Sequence, residues 1–190
     1  MPLSEKKNLF AHIDDALEAI DTAGLRRKRR IVDSRKGTVE HVEDREVVNF
    51  CSNDYLGLAD HPALIEAAVA GARRWGVGSG SSHLVCGHFA IHEKIEKRLA
   101  RFVGCASALL FSSGYMVNSG VIPALVGRGD AIFADRLIHA SLVDGALLSR
   151  ADLHRYPHCD LAALEAALSR SRAPRKLIVT DSVFSMDGDI

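Results

Sequence analysis

Apolar residues recur at three- to five-residue steps at the start of the chain, as Leu9, Ile13, Leu17, Ile20 and Leu25, with Asp14, Asp15, Glu18 and Asp21 between them. That spacing predicts an amphipathic helix. Alternation replaces it between Gly37 and Phe50, where residues 38–42 and 47–50 flank Asp44-Arg45 and read as a short antiparallel hairpin. Helical periodicity returns after Asp60 and Pro62, with Leu64, Ala68, Val69, Ala72 and Trp75 on one face and Gly76 as the stop signal. The stretch 76–87 holds four glycines among small polar residues and is read as irregular, either a linker or a loop passing close to a ligand. A further helix follows, with Ile91, Ile95, Leu99 and Phe102 as its expected buried stripe.

Beyond Gly104 the rhythm changes. Strand-like runs at 108–111, 131–134, 153–156 and 177–180 alternate with helical stretches at 115–125, 140–148 and 161–168. Such alternation predicts βαβ units and a parallel sheet covered on both faces, an α/β domain whose ligands collect beyond the carboxyl ends of the strands. Those ends carry residues 112–115, 135–139, 158–160 and 181–185, so polar groups gather where the architecture places a site.

Charge narrows the choice of partner. The 24 basic and 24 acidic side chains cancel, so the chain lacks the basic footprint of a nucleic-acid binder. The one cationic run, Arg26-Arg-Lys-Arg-Arg30, reads as a solvated helix end, or as a place where one or two guanidinium groups turn inward to a carboxylate or phosphate. Cys51, Cys86, Cys105 and Cys159 form no C-x-x-C pair and are expected as reduced, mostly buried thiols, with no metal site. With no signal-peptide core and no run long enough to cross a bilayer, the expectation is a soluble, cytoplasmic protein.

The chemistry is anchored at Ser112-Ser-Gly-Tyr115, where an apolar strand-like run turns into a helix. The first amides of that helix are unsatisfied donors at the positive end of its dipole, a setting that favours a phosphate ester. An imidazole at His139 and a hydroxyl at Ser185 fall at two further strand ends of the same expected sheet, a convergence suited to a cofactor pocket.

The segments Ser52-Asn-Asp-Tyr-Leu-Gly-Leu58, Gly78-Ser-Gly-Ser-Ser-His83, Phe111-Ser-Ser-Gly-Tyr115, Asp135-Arg-Leu-Ile-His-Ala-Ser-Leu142 and Val183-Phe-Ser-Met-Asp-Gly-Asp189 together resemble the N-terminal half of the α-oxoamine synthases. That resemblance implies the large domain of a pyridoxal-phosphate (PLP) enzyme of the aspartate-aminotransferase fold (fold type I), incomplete at its C-terminus. An N-terminal helix and β-hairpin would span residues 1–50, and the truncated PLP-binding domain residues 51–190. It also implies a homodimer. By the resemblance, the backbone of Gly114 and Tyr115 holds the cofactor phosphate, and His139 stacks on the pyridine ring and contacts substrate. Ser185 bonds the ring's phenolic oxygen, Arg26 meets the substrate, and Asn53 lies near the acyl site. The nearest members condense L-alanine with pimeloyl-CoA or a pimeloyl carrier protein; a relative using another amino acid and acyl group, or a non-catalytic partner subunit, are the alternatives. The family's Schiff-base lysine has no counterpart among Lys6, Lys7, Lys28, Lys36, Lys94, Lys97 and Lys176, so the 190-residue chain by itself is expected to be inactive. Where many relatives have His-Asn-Asp, this sequence has His158-Cys-Asp160.

Overall fold

The computed structural model describes residues 10–189. The chain divides into two compact units, one up to Ser79 and one from Gly80 onward, each described by itself.

In the first unit, helix α1 (Ala11–Thr22) is followed by strands β1 (Val32–Lys36), β2 (Val39–Val42) and β3 (Arg45–Val48), and then by helix α2 (Pro62–Trp75). The expected hairpin is β2 and β3, paired in register from Val39 opposite Val48 to Val42 opposite Arg45. It gains a third antiparallel strand, β1, irregular between Val32 and Ser34. The hairpin turns at Glu43 and Asp44, both at positive φ, a region that aspartate tolerates better than most side chains. Helix α2 begins where Pro62 fits the first turn and the His61 ring caps the Ala63 amide at 3.2 Å; it ends at Gly76, whose φ of +79° a side chain would strain.

The second unit opens with a single π-type turn (His83–Gly87) inside the glycine-rich stretch expected to be irregular. Helices α3 (Ala90–Phe102) and α4 (Gly114–Leu125) follow, then strand β4 (Ala131–Asp135), helix α5 (Ala140–Ser149), strand β5 (Asp152–Tyr156), helix α6 (Leu161–Arg170) and strand β6 (Lys176–Val179). The sheet is parallel, in the order β5-β4-β6. Strand β4 is buried at every position because both faces are covered. Ile132 and Ala134 point into a cluster with Ile122, Val126, Ile138, Ala146 and Val179, supplied largely by α4 and α5. Ala131 and Phe133 point the other way, onto Tyr156 and Leu164. Gly145 lets α5 lie against α4, since a β-carbon there would sit 2.3 Å from the Asn118 carbonyl oxygen.

Three expectations are corrected. Residues 108–111 form no strand: a ladder needs a neighbouring strand, and here the Leu110 amide donates instead to the Glu96 carboxylate at 2.9 Å. The stripe of α3 is uncovered among the described residues, with Ile91, Ile95, Leu99 and Phe102 all exposed. All four cysteines, expected to be mostly buried, are exposed as well, because turns and irregular segments carry them.

Candidate functional site

At the carboxyl end of β4, Asp135 is buried and shapes the chain. Its Oδ1 accepts the Leu137 amide at 2.8 Å and its Oδ2 the Cys159 amide at 2.9 Å. The turn so formed delivers His139 to the cap position of α5, where its Nδ1 accepts the Ser141 amide at 3.2 Å. The buried Ser141 hydroxyl stands 2.6 Å from the same nitrogen and accepts from the Asn118 side-chain amide at 2.9 Å. Nδ1 is therefore the acceptor and Nε2 carries the ring proton. The His139 amide donates to Asp181 Oδ2 at 2.8 Å, tying β4's end to the segment after β6. Both ring and backbone of His139 are thus held before any ligand arrives.

Helix α4 supplies the second wall. Ser113 caps it by accepting the Met116 amide at 3.3 Å, and the Val117 amide turns back to the Ser113 carbonyl at 3.2 Å. The amides of Gly114 and Tyr115, first in the helix, have no intrahelical acceptor and face the positive end of the dipole. The Tyr115 hydroxyl donates to Asp144 Oδ2 at 3.2 Å, and that hydrogen bond pushes its phenol above the ordinary tyrosine range.

The third wall is the turn after β6. Phe184 is buried and pairs with Asp189, the Phe184 amide donating to the Asp189 carbonyl at 2.9 Å. Asp189 Oδ2 lies 2.7 Å from His158 Nε2, and His158 Nδ1 lies 2.9 Å from Asp135 Oδ1. With a carboxylate at each ring nitrogen, the His158 imidazole is raised above its ordinary value, chiefly by Asp135 and then by Asp189. Burial pushes the Asp135 carboxyl up, but the Leu137 and Cys159 amides and His158 outweigh it, so it stays below the usual carboxylate range. The Asp135–His158–Asp189 chain thereby fastens the turn carrying Ser185 to the ends of β4 and β5.

Between these walls opens a cleft of about 560 Å³ lined by Gly114, Tyr115, Asn118, His139, Asp181 and Ser185 among others. Four of the six expected site residues, Gly114, Tyr115, His139 and Ser185, therefore meet around one space. Arg26 and Asn53 belong to the first unit: Arg26 is exposed and paired with Asp21, and Asn53 accepts from the Tyr55 hydroxyl at 3.4 Å. Sequence reasoning placed His158 among the polar residues at the strand ends without giving it a role, and missed Asn118 and Ser141. The one available signal was spacing, since Asn118 lies one helical turn beyond Gly114 and Ser141 two residues beyond His139.

Residues 45–190 match the family described as aminotransferase class I and II, and the chain belongs to that family. Within it the resemblance is specific. The chain is 64% identical over 174 residues to the 8-amino-7-oxononanoate synthase of Aromatoleum aromaticum and 62% identical to that of Herminiimonas arsenicoxydans, covering 92% of this chain and 45% of each relative. Among solved structures it is similar to the Sphingomonas wittichii serine palmitoyltransferase, with 31% identity and a TM-score of 0.86 over 100% of this chain and 48% of that one. A variant of SPT solved with PLP is similar at 27% identity and TM-score 0.89, over 97% of this chain and 48% of that one. The chain thus spans less than half the length of the relatives it matches. No described helix is long and apolar enough to cross a membrane.

Proposed function

We propose that this chain is the cofactor-binding half of an 8-amino-7-oxononanoate synthase, which condenses L-alanine with pimeloyl-CoA or a pimeloyl carrier protein and releases carbon dioxide in biotin synthesis. The observation that carries this reading is the joint lining of one cleft by Gly114, Tyr115, His139 and Ser185. The cleft volume of about 560 Å³ lies in the range of ordinary ligand pockets.

The residues present fit PLP. The free amides at the start of α4 suit its phosphate, the His139 ring offers a flat face to a heterocycle, and the Ser185 hydroxyl is a donor for a phenolic oxygen. When bound, PLP supplies an electron sink for the carbanion at the amino-acid α-carbon. The chain's own residues do the positioning. Asn118 and Ser141 fix the His139 tautomer, leaving an Nε2–H to donate toward a substrate carboxylate, and the Asp181 contact holds that imidazole at the cleft wall. Arg26 is the proposed partner for an anionic part of the substrate, its pairing with Asp21 exchanged for the ligand. Asn53 is assigned to the acyl group. Among the described residues no lysine lines the cleft, so the covalent anchor lies outside them and in this reading the 190-residue chain alone is inactive. The working enzyme is a cytoplasmic homodimer in this reading.

The test is a comparison of amino-acid and acyl donors with the complete protein loaded with PLP. Release of free thiol, carbon dioxide and the nine-carbon amino ketone from L-alanine and pimeloyl-CoA, with no turnover of glycine and acetyl-CoA, is the expected result. Preference for the glycine pair would reassign it to a glycine C-acetyltransferase. Absence of turnover with every donor, alongside stable association with a second lysine-bearing chain, would make it a non-catalytic partner subunit.

A further inference from the structure

Away from the cleft, three imidazoles are packed together at the entrance to α3. The π-type turn doubles back so tightly that a β-carbon on the buried Gly87 would stand 1.9 Å from the Ser81 carbonyl oxygen. The Val85 and Gly87 amides both return to the Ser82 carbonyl, at 3.1 and 2.9 Å. This closure brings His83 and His88 together across the turn, with ring centroids 5.1 Å apart. His92, one turn into α3, completes the group at 4.8 Å from His83 and 5.5 Å from His88.

The hydrogen-bonding pattern assigns the lone pairs. His88 Nε2 faces the Glu93 carboxylate at 3.5 Å, and a carboxylate held ionised by Lys97 at 2.8 Å only accepts. The His88 proton therefore sits on Nε2, and its Nδ1 presents a lone pair. That Nδ1 lies 2.9 Å from His83 Nδ1. The space between them must hold either one proton or a cation shared by both. His92 Nδ1 also presents a lone pair, here taken up by the Phe89 amide at 2.9 Å. A carboxylate behind a ligating imidazole is the usual outer support of a metal-bound histidine.

The separation selects among metals. Two imidazole nitrogens each about 2.0–2.1 Å from a metal and 2.9 Å apart subtend about 90° at it, whereas tetrahedral zinc would set them about 3.3 Å apart. A right angle with nitrogen ligands is the tetragonal preference of copper(II) and nickel(II). We propose that His83 and His88 bind a copper(II) or nickel(II) ion through their Nδ1 atoms, with His92 as the third imidazole and Glu93 orienting His88. The site is separate from the cleft and does not depend on the reaction assigned to it. His92 joins by exchanging the Phe89 amide for the metal, so its loss weakens the site without abolishing it.

The experiment is a copper(II) titration of untagged, chelator-stripped complete protein, followed by calorimetry and electron paramagnetic resonance. One equivalent binds, with hyperfine splitting from at least two nitrogens. His83→Asn and His88→Asn each abolish stoichiometric binding, Glu93→Gln weakens it about tenfold, and His41→Asn, exposed on β2 of the other unit, leaves it unchanged. Copper raises the melting temperature of the unaltered protein and not that of His83→Asn, whose side chain packs against the other two rings. Failure to bind one equivalent would show the imidazoles to be a hydrogen-bonded cluster only and would overturn the proposal. So would copper binding that survives in both His83→Asn and His88→Asn, which would move the ion to another cluster such as Asp135, His158 and Cys159.

Discussion

At the scale of single residues, Cys159 shows how a side chain can be wrong for its backbone while its amide is right. Its amide is required by Asp135, yet its φ of +55° lies in the left-handed region, where a β-carbon crowds the carbonyl oxygen and asparagine is better tolerated. Cys159→Asn should therefore stabilise the protein by about 1 kcal/mol, seen as a higher melting temperature, with PLP binding unchanged. An unchanged or lowered melting temperature would mean that the thiol contact to His158, at 3.5 Å, matters more than the backbone. That Gly114, His139 and Ser185 line one cleft was legible because Gly114 opens a helix among small polar residues while His139 and Ser185 follow the ends of β4 and β6. The contribution of Asn118 was not, since a polar residue at helical spacing looks the same whether it faces water or a buried hydroxyl.

At the scale of elements, the helices were legible wherever a periodic face coincided with a start or stop signal, as at Pro62 and Gly76. Strand β4 was legible as an uninterrupted apolar run. Residues 108–111 carry the same kind of run and form no strand, because an apolar pattern specifies burial while a strand also needs a neighbour to complete its ladder. The turn at His83–Gly87 was missed for the opposite reason: its geometry is set by one glycine's close approach to Ser81, which composition does not reveal. The contact of α4 with α5 gives a direct test of element packing. Gly145→Ala would drive a methyl group to 2.3 Å from the Asn118 oxygen and must part the helices. The expected loss is about 1–3 kcal/mol in denaturant unfolding, together with weaker PLP binding, because Asn118 also fixes Ser141 and His139. A loss confined to stability would uncouple the helix contact from the cleft.

Across the whole second unit, the ends of all three strands are joined by charged hydrogen bonds, which makes stability depend on pH. His158 is raised above its ordinary value by Asp135 and Asp189, and the Cys159 thiol is a further titratable neighbour. A group raised in the folded state stabilises fully below its unfolded value, about 6.5 for histidine, and that contribution fades as pH climbs through the higher folded value. Melting temperatures taken upward from mildly acid pH should therefore fall on the alkaline side in the unaltered protein. The slope should be absent in His158→Gln, and an identical slope in both would place the titration elsewhere. At the acid end, Asp130 is lowered first by its hydrogen bond from Arg175, then by the Gly127 amide, so its contribution is lost as pH drops through its folded value.

The burial of β4 on both faces, with a paired strand on either edge, reaches past packing into kinetics. Amides at Ile132, Phe133 and Ala134 should be the last in the second unit to take up deuterium, giving way only when the entire unit opens, while those of β1 to β3 exchange sooner. A clock placed at those three positions would read how often this half of the molecule comes apart.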